Sequence, residues 1–173
     1  MAGAKLDSVK YTNMFKAYGA FWRRGFTEWA GTASRSEYWW TFLVNALIGV
    51  VALFIVSFFA VLGLAVESEG VVVSGLVLVL VPAVLYWIVT LVPGISLIVR
   101  RLHDAGLSSW FMVLYGVGIF FRLFGWMIVG ISPWTAGFVV FLWFISFCID
   151  ITFFVFSLLP TKVEDNPYHK FNK

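Results

Sequence analysis

Two groups of residues in this chain have types and spacing that could do chemistry. Arg122 and Asp150 each interrupt an apolar stretch long enough to cross a membrane. A charge near a bilayer centre costs at least about 2.5–3.5 kcal/mol, so such a residue marks either a functional path or a built ion pair. The second group is Arg35 and Glu37 at the start of one apolar stretch, with Arg100, Arg101, His103 and Asp104 at the end of the next. A histidine beside a carboxylate resembles an acid–base pair, but neighbours in sequence do not thereby share a hydrogen bond. No candidate nucleophile nearby stands in a recognised motif, and Ser108 and Ser109 read better as caps of the following helix. His103, Asp104 and Glu37 supply too few donors for a metal site. The expectation is therefore no catalytic residue, no metal and no cofactor.

The elements that position these residues are membrane helices. Of the 173 residues 61% are hydrophobic and 12% charged, and mean hydropathy is +0.94. A soluble domain carries about a quarter charged residues, so this balance excludes one. The net charge of +3 does not indicate nucleic acid, because the basic residues flank apolar segments and form no continuous stripe. The single cysteine, Cys148, rules out an intramolecular disulfide and any CxxC site. Met1 to Lys10 lacks the apolar core of a signal peptide, so the first crossing is expected to direct its own insertion.

Residues 1–33 form an N-terminal segment with an amphipathic helix from Tyr11 to Trp29. Tyr11, Met14, Phe15, Tyr18, Phe21, Trp22, Phe26 and Trp29 repeat every three to four residues, while Lys16, Arg23, Arg24 and Glu28 supply much of the polar side. An aromatic face and a basic one suit a helix lying in the headgroup plane; packing of that face on the other helices is compatible with this. Phe15, Trp22, Arg23, Arg24 and Trp29 are its candidate membrane-contact residues.

Residues 34–160 hold four crossings, about 34–66, 71–102, 107–131 and 134–159, each beyond or near the roughly 20 residues a span needs. Ser34-Arg35-Ser36-Glu37 fits a capping box at the first. Pro82 and Pro93 are expected to kink or tilt the second, and Gly106 to stop it in a left-handed conformation. Ser132-Pro133 turns the third crossing into the fourth, and residues 161–173 form a polar tail. In an antiparallel hairpin turning at Ser132, Arg122 lies level with about residue 143, which leaves Asp150 roughly 10 Å away along the axis. That arithmetic is long for a direct contact. Gly118, Arg122, Ser146 and Asp150, with Asn45 and Tyr86 on the earlier helices, could form a polar seam.

Every Lys and Arg except Arg122 lies in the N-terminal segment or at Arg35 just after it, at Arg100-Arg101 or in the tail. With four crossings these three regions share one side, so the positive-inside rule places both termini in the cytoplasm.

The strings Gly31-Thr32-Ala33-Ser34-Arg35-Ser36-Glu37-Tyr38-Trp39-Trp40 and Arg100-Arg101-Leu102-His103-Asp104-Ala105-Gly106-Leu107-Ser108-Ser109-Trp110 resemble two hallmarks of the bacterial domain of unknown function 805 family. These are G-R-x-S-R-x-E-[FY]-W and R-R-L-H-D-x-G-x-S-G-W; Thr32 stands where the first has Arg and Ser109 where the second has Gly. Asn166-Pro167-Tyr168 resembles the family's C-terminal N-x-Y-G without its glycine. The resemblance covers about Tyr11 to Tyr168 and implies a small bacterial inner-membrane protein of several helices without an established activity.

The sequence thus gives an all-α integral membrane protein with four transmembrane helices behind an amphipathic interfacial helix. Its expected role is non-enzymatic: a lipid- or partner-binding module clamped at its cytoplasmic rim by Arg35, Glu37, Arg101, His103 and Asp104. Expected partners are membrane lipids, anionic ones included, and a protein partner or further copies of the chain. The alternative is an oligomeric channel or transporter for a small solute or ion, using Arg122 and Asp150.

Overall fold

The computed structural model describes residues 9–132 and 134–168. Expectations for Met1 to Ser8, for Pro133 in the turn and for the last residues of the tail, 169–173, lie outside the described residues. Among those described there are five helices and no strand: α1 (Met14–Thr27), α2 (Arg35–Ala65), α3 (Glu69–Asp104), α4 (Phe111–Ile128) and α5 (Thr135–Leu158). The last four are long and apolar enough to cross a membrane. Their outer surfaces carry the apolar residues, with Phe54 and Leu64 about three-quarters exposed, while Glu37, Arg100 and Asp104 have no exposed surface. A water-soluble fold does the reverse. The chain divides into two compact units, 9–29 with 36–98, and 30–35 with 99–168.

In the first unit α1 starts at Asn13, whose side chain accepts from the Phe15 and Lys16 amides. It satisfies two of the orphan donors of the first turn. The start of α1 is held by α2: the Tyr11 amide donates to Ser36 Oγ at 2.7 Å, and Trp40 Nε1 donates to the Tyr11 carbonyl at 3.1 Å. Its end is held there too, by Arg24 on Glu37. Both ends are therefore tied within residues 36–40, about one helical turn of α2, so α1 lies across that helix and not along it. Ala17, Ala20, Phe21, Arg24 and Gly25 form its buried face, and Phe15, Lys16, Arg23 and Phe26 are exposed. The protein-facing side is thus mainly small residues; of the aromatic stripe Phe21 is buried with them, Tyr18 and Trp22 are half-buried, and Phe15 and Phe26 point outward. At Gly25 the approach is so close that a Cβ would fall 2.3 Å from the Pro93 Cβ.

The turn between α2 and α3 is a Schellman motif. Glu67 is left-handed (φ 50°), the Ser68 amide reaches back to the Gly63 carbonyl, and the Glu67 amide to Leu64. The hydrocarbon-level packing is again close, since a Cβ on Gly75 would collide with Phe59. Helix α3 runs unbroken through Pro82 and Pro93.

In the second unit α3 ends as expected at Gly106 (φ 75°), with the Leu107 amide on the Leu102 carbonyl and the Gly106 amide on His103. The next helix starts later than apolarity alone suggested. Residues 107–110 form turns in which Ser108 Oγ accepts from the Trp110 amide, and the Ser108 and Ser109 carbonyls accept from Phe111 and Met112. The N-cap of α4 is therefore Trp110, without a side-chain cap bond, and not a serine. α4 and α5 pack as an antiparallel hairpin. Ser146 Oγ donates to the Gly118 carbonyl at 3.0 Å, a Cβ on Gly125 would meet Trp143, Phe111 meets Phe156 edge to face, and Tyr115 packs at a tilt against Phe153. α5 stops at Leu158, just before Pro160, which disfavours helical geometry in the residue preceding it.

Candidate functional site

The Arg100–Asp104 motif ends α3, where four carbonyls lack helical donors. Arg101, His103 and Asp104 there each contact distant parts of the second unit. Arg101 donates through Nη1 to Asp104 Oδ2 at 2.6 Å, through Nε to the Ser157 carbonyl at 3.2 Å and through Nη2 to the Leu159 carbonyl. Those carbonyls belong to the last turn of α5 and its C-cap, where a cation also suits the helix dipole. Thr161 Oγ1 donates to the same Asp104 oxygen at 2.7 Å, and the Lys162 amide donates to the Asp104 carbonyl at 2.8 Å. Asn166 Nδ2 donates to the carbonyls of His103 and Lys162, at 2.8 and 2.7 Å.

His103 offers its ring as a packing surface. Its ring stacks on Tyr168 with centroids 3.8 Å apart and planes 8° from parallel. Its Nδ1 faces the Gly31 carbonyl at 3.3 Å, and because a carbonyl only accepts, that nitrogen carries the proton. The Ala33 amide closes the same junction on the Arg100 carbonyl at 2.9 Å. Residues of both hallmark strings and of Asn166-Pro167-Tyr168 thus meet in one buried knot. The chemistry it can do is to hold three chain segments together. Arg35, expected in this clamp, is exposed and has no described partner.

Glu37 lies in the first unit with a different partner. It is fully buried and accepts from Arg24 Nη1 at 2.5 Å, while Arg24 Nε holds Glu28 at 2.7 Å. Burial works against the charge on Arg24, but Glu37 and Glu28 outweigh it and hold its pKa above the ordinary value. Arg24, expected among the membrane-contact residues of the helix, instead faces the protein, because the buried Glu37 carboxylate of α2 requires a counter-ion. Of the expected contact residues Phe15, Arg23 and Trp29 are exposed and Trp22 is half-buried.

The first unit also carries a hydrogen-bonded chain across three helices. Tyr18 of α1 bonds Tyr86 of α3 at 2.6 Å, Tyr86 donates to Asn45 Oδ1 of α2 at 2.6 Å, and Asn45 Nδ2 donates to the Thr41 carbonyl. Asn45 and Tyr86 were legible as polar residues in apolar helices; Tyr18 was hidden in the aromatic periodicity of α1.

Arg122 and Asp150 form a direct ion pair, Nη1 to Oδ2. The axial offset expected from the register is real, but both side chains lean toward the N-termini of their own antiparallel helices, hence toward each other. The length of the arginine closes the rest. The pair stays open on one side, with 37% and 41% of the two side chains exposed, above a cleft of about 180 Å³ lined also by Trp126, Trp143, Ser146 and Phe147.

Comparison with known proteins agrees with these motifs. The chain is 28% identical over 127 residues to inner membrane protein YhaI of Escherichia coli K12, covering 73% of this chain and 84% of that protein. The O157:H7 counterpart matches to the same extent. No solved structure matches. The model of the family described as protein of unknown function (DUF805) matches residues 26–170, and with that span this chain belongs to the DUF805 family.

Proposed function

We propose that this chain is a non-enzymatic, four-crossing protein of the bacterial inner membrane that binds anionic lipid headgroups at its cytoplasmic face through α1. The observation that carries the reading is the three-sided character of α1. Its small-residue face is pinned to the protein, Phe15 and Phe26 project outward, with exposed Trp29 just beyond the helix end, and Lys16 and Arg23 stand exposed beside those two aromatics. A helix lying across α2, with an aromatic stripe at the acyl boundary and cations beside it, suits a headgroup layer. Each such cation near an anionic surface is worth about 1 kcal/mol. The name of the YhaI relative supports the inner membrane as the location. The knot around Arg101 and Asp104 has a structural role in this reading, and Arg122 and Asp150 neutralise one another, which removes the main motive for a channel.

Thermal unfolding of the detergent-solubilised protein tests the proposal. Short-chain phosphatidylglycerol should raise the midpoint more than phosphatidylcholine, and high salt or the double change Lys16→Gln, Arg23→Gln should abolish most of that difference. Equal shifts with the two lipids, or an unchanged difference in the double variant, would sink it.

A further inference from the structure

We propose that the α4–α5 face carrying Arg122 and Asp150 is an intramembrane docking surface for a second copy of this chain. The inference is independent of α1 and of lipid binding. Arg122 lies six residues before the end of α4 and Asp150 eight before the end of α5, so both are roughly 9–12 Å in from the nearest helix end. At that depth lipid tails offer no hydrogen-bond partners.

The pair satisfies only part of its own capacity. Arg122 has five N–H donors and uses one described bond, and Asp150 Oδ1 has no described partner. The open side of the pair therefore calls for a covering surface that both donates and accepts. Charge complementarity selects a second copy. Under a two-fold rotation the same patch meets itself, so Arg122 of each chain faces Asp150 of the other and four alternating charges close into a ring. The cleft beside the pair gives the incoming guanidinium room, and exposed Trp126 and Phe147 supply an apolar rim.

The test uses the exchanged variant Arg122→Asp, Asp150→Arg, which keeps the pair within each chain and reverses its polarity. In a two-chain contact between wild type and exchanged protein, like charges would meet, and such juxtapositions cost several kcal/mol. Each protein, labelled with one of two dyes and reconstituted in vesicles, is counted by single-molecule photobleaching. Wild type and the exchanged variant should each pair with themselves, with mixed pairs more than about tenfold rarer. Mixed pairs as abundant as like pairs would overturn the proposal, as would wild type that stays monomeric at every protein-to-lipid ratio. Should the exchanged variant fail to fold, Arg122→Gln, Asp150→Asn removes the charges with little change of shape. Folded and monomeric, it supports the proposal; associating as wild type does, it refutes it.

Discussion

Asp104 has no exposed surface and gathers Arg101, Thr161 and the Lys162 amide around it. Removing one partner of a buried pair leaves the other charge uncompensated, at a cost of about 3–5 kcal/mol. Asp104→Ala should therefore lower the unfolding midpoint in detergent far more than Thr161→Val, which forfeits one hydrogen bond worth about 1 kcal/mol. Similar losses in both variants would show that Asp104 is not the centre of the knot. The sequence showed that Arg100, Arg101, His103 and Asp104 belong together, but not with what. Their partners Gly31, Ser157, Thr161 and Asn166 come from far along the chain, and most offer a backbone carbonyl or a small hydroxyl. Such groups leave no trace in composition or periodicity.

Helix α1 was legible as an element because its aromatics recur every three to four residues. Which face meets the protein was not. Hydropathy weights Phe15 and Trp22 heavily and Ala17, Ala20 and Gly25 hardly at all, yet close packing is decided by small residues. At Gly25 a Cβ would fall 2.3 Å from the Pro93 Cβ. Gly25→Ala should dislodge the end of α1 and speed tryptic cleavage after Arg23 and Arg24. Gly19→Ala is the matched control: nothing lies within 4 Å of its Cβ, and the change should stabilise the helix by roughly 0.5–1 kcal/mol. Equal cleavage in the two variants would mean that the contact at Pro93 does not hold the helix. The α4–α5 register was likewise readable to within a turn from the position of Ser132. The ion pair it carries was not, because counting along helix axes omits the lean and reach of side chains.

At the scale of the whole molecule, the distribution of charge predicts an orientation in the membrane. The four candidate spans divide the chain into regions that alternate between sides. Every Lys and Arg but Arg122 falls in three of them or at the span ends that adjoin them (Arg35, Arg100 and Arg101), and the turns at Glu67–Gly70 and Ser132 contain none. Cytoplasmic loops retain such residues because translocating them is unfavourable, so both termini should be cytoplasmic. In the second unit the end of α3 and the segment after α5 lie on one side, hydrogen-bonded through Asp104, Thr161 and Asn166. Cys148 is the sole cysteine, so Cys148→Ser gives a blank background for labelling intact cells with a membrane-impermeant maleimide. Cysteines placed at Ser68 and Ser132 should label from outside, and those at Thr27 and Glu164 only after the membrane is opened. The opposite pattern would invert the orientation and move α1 to the outer surface, away from the anionic cytoplasmic leaflet on which its proposed role depends.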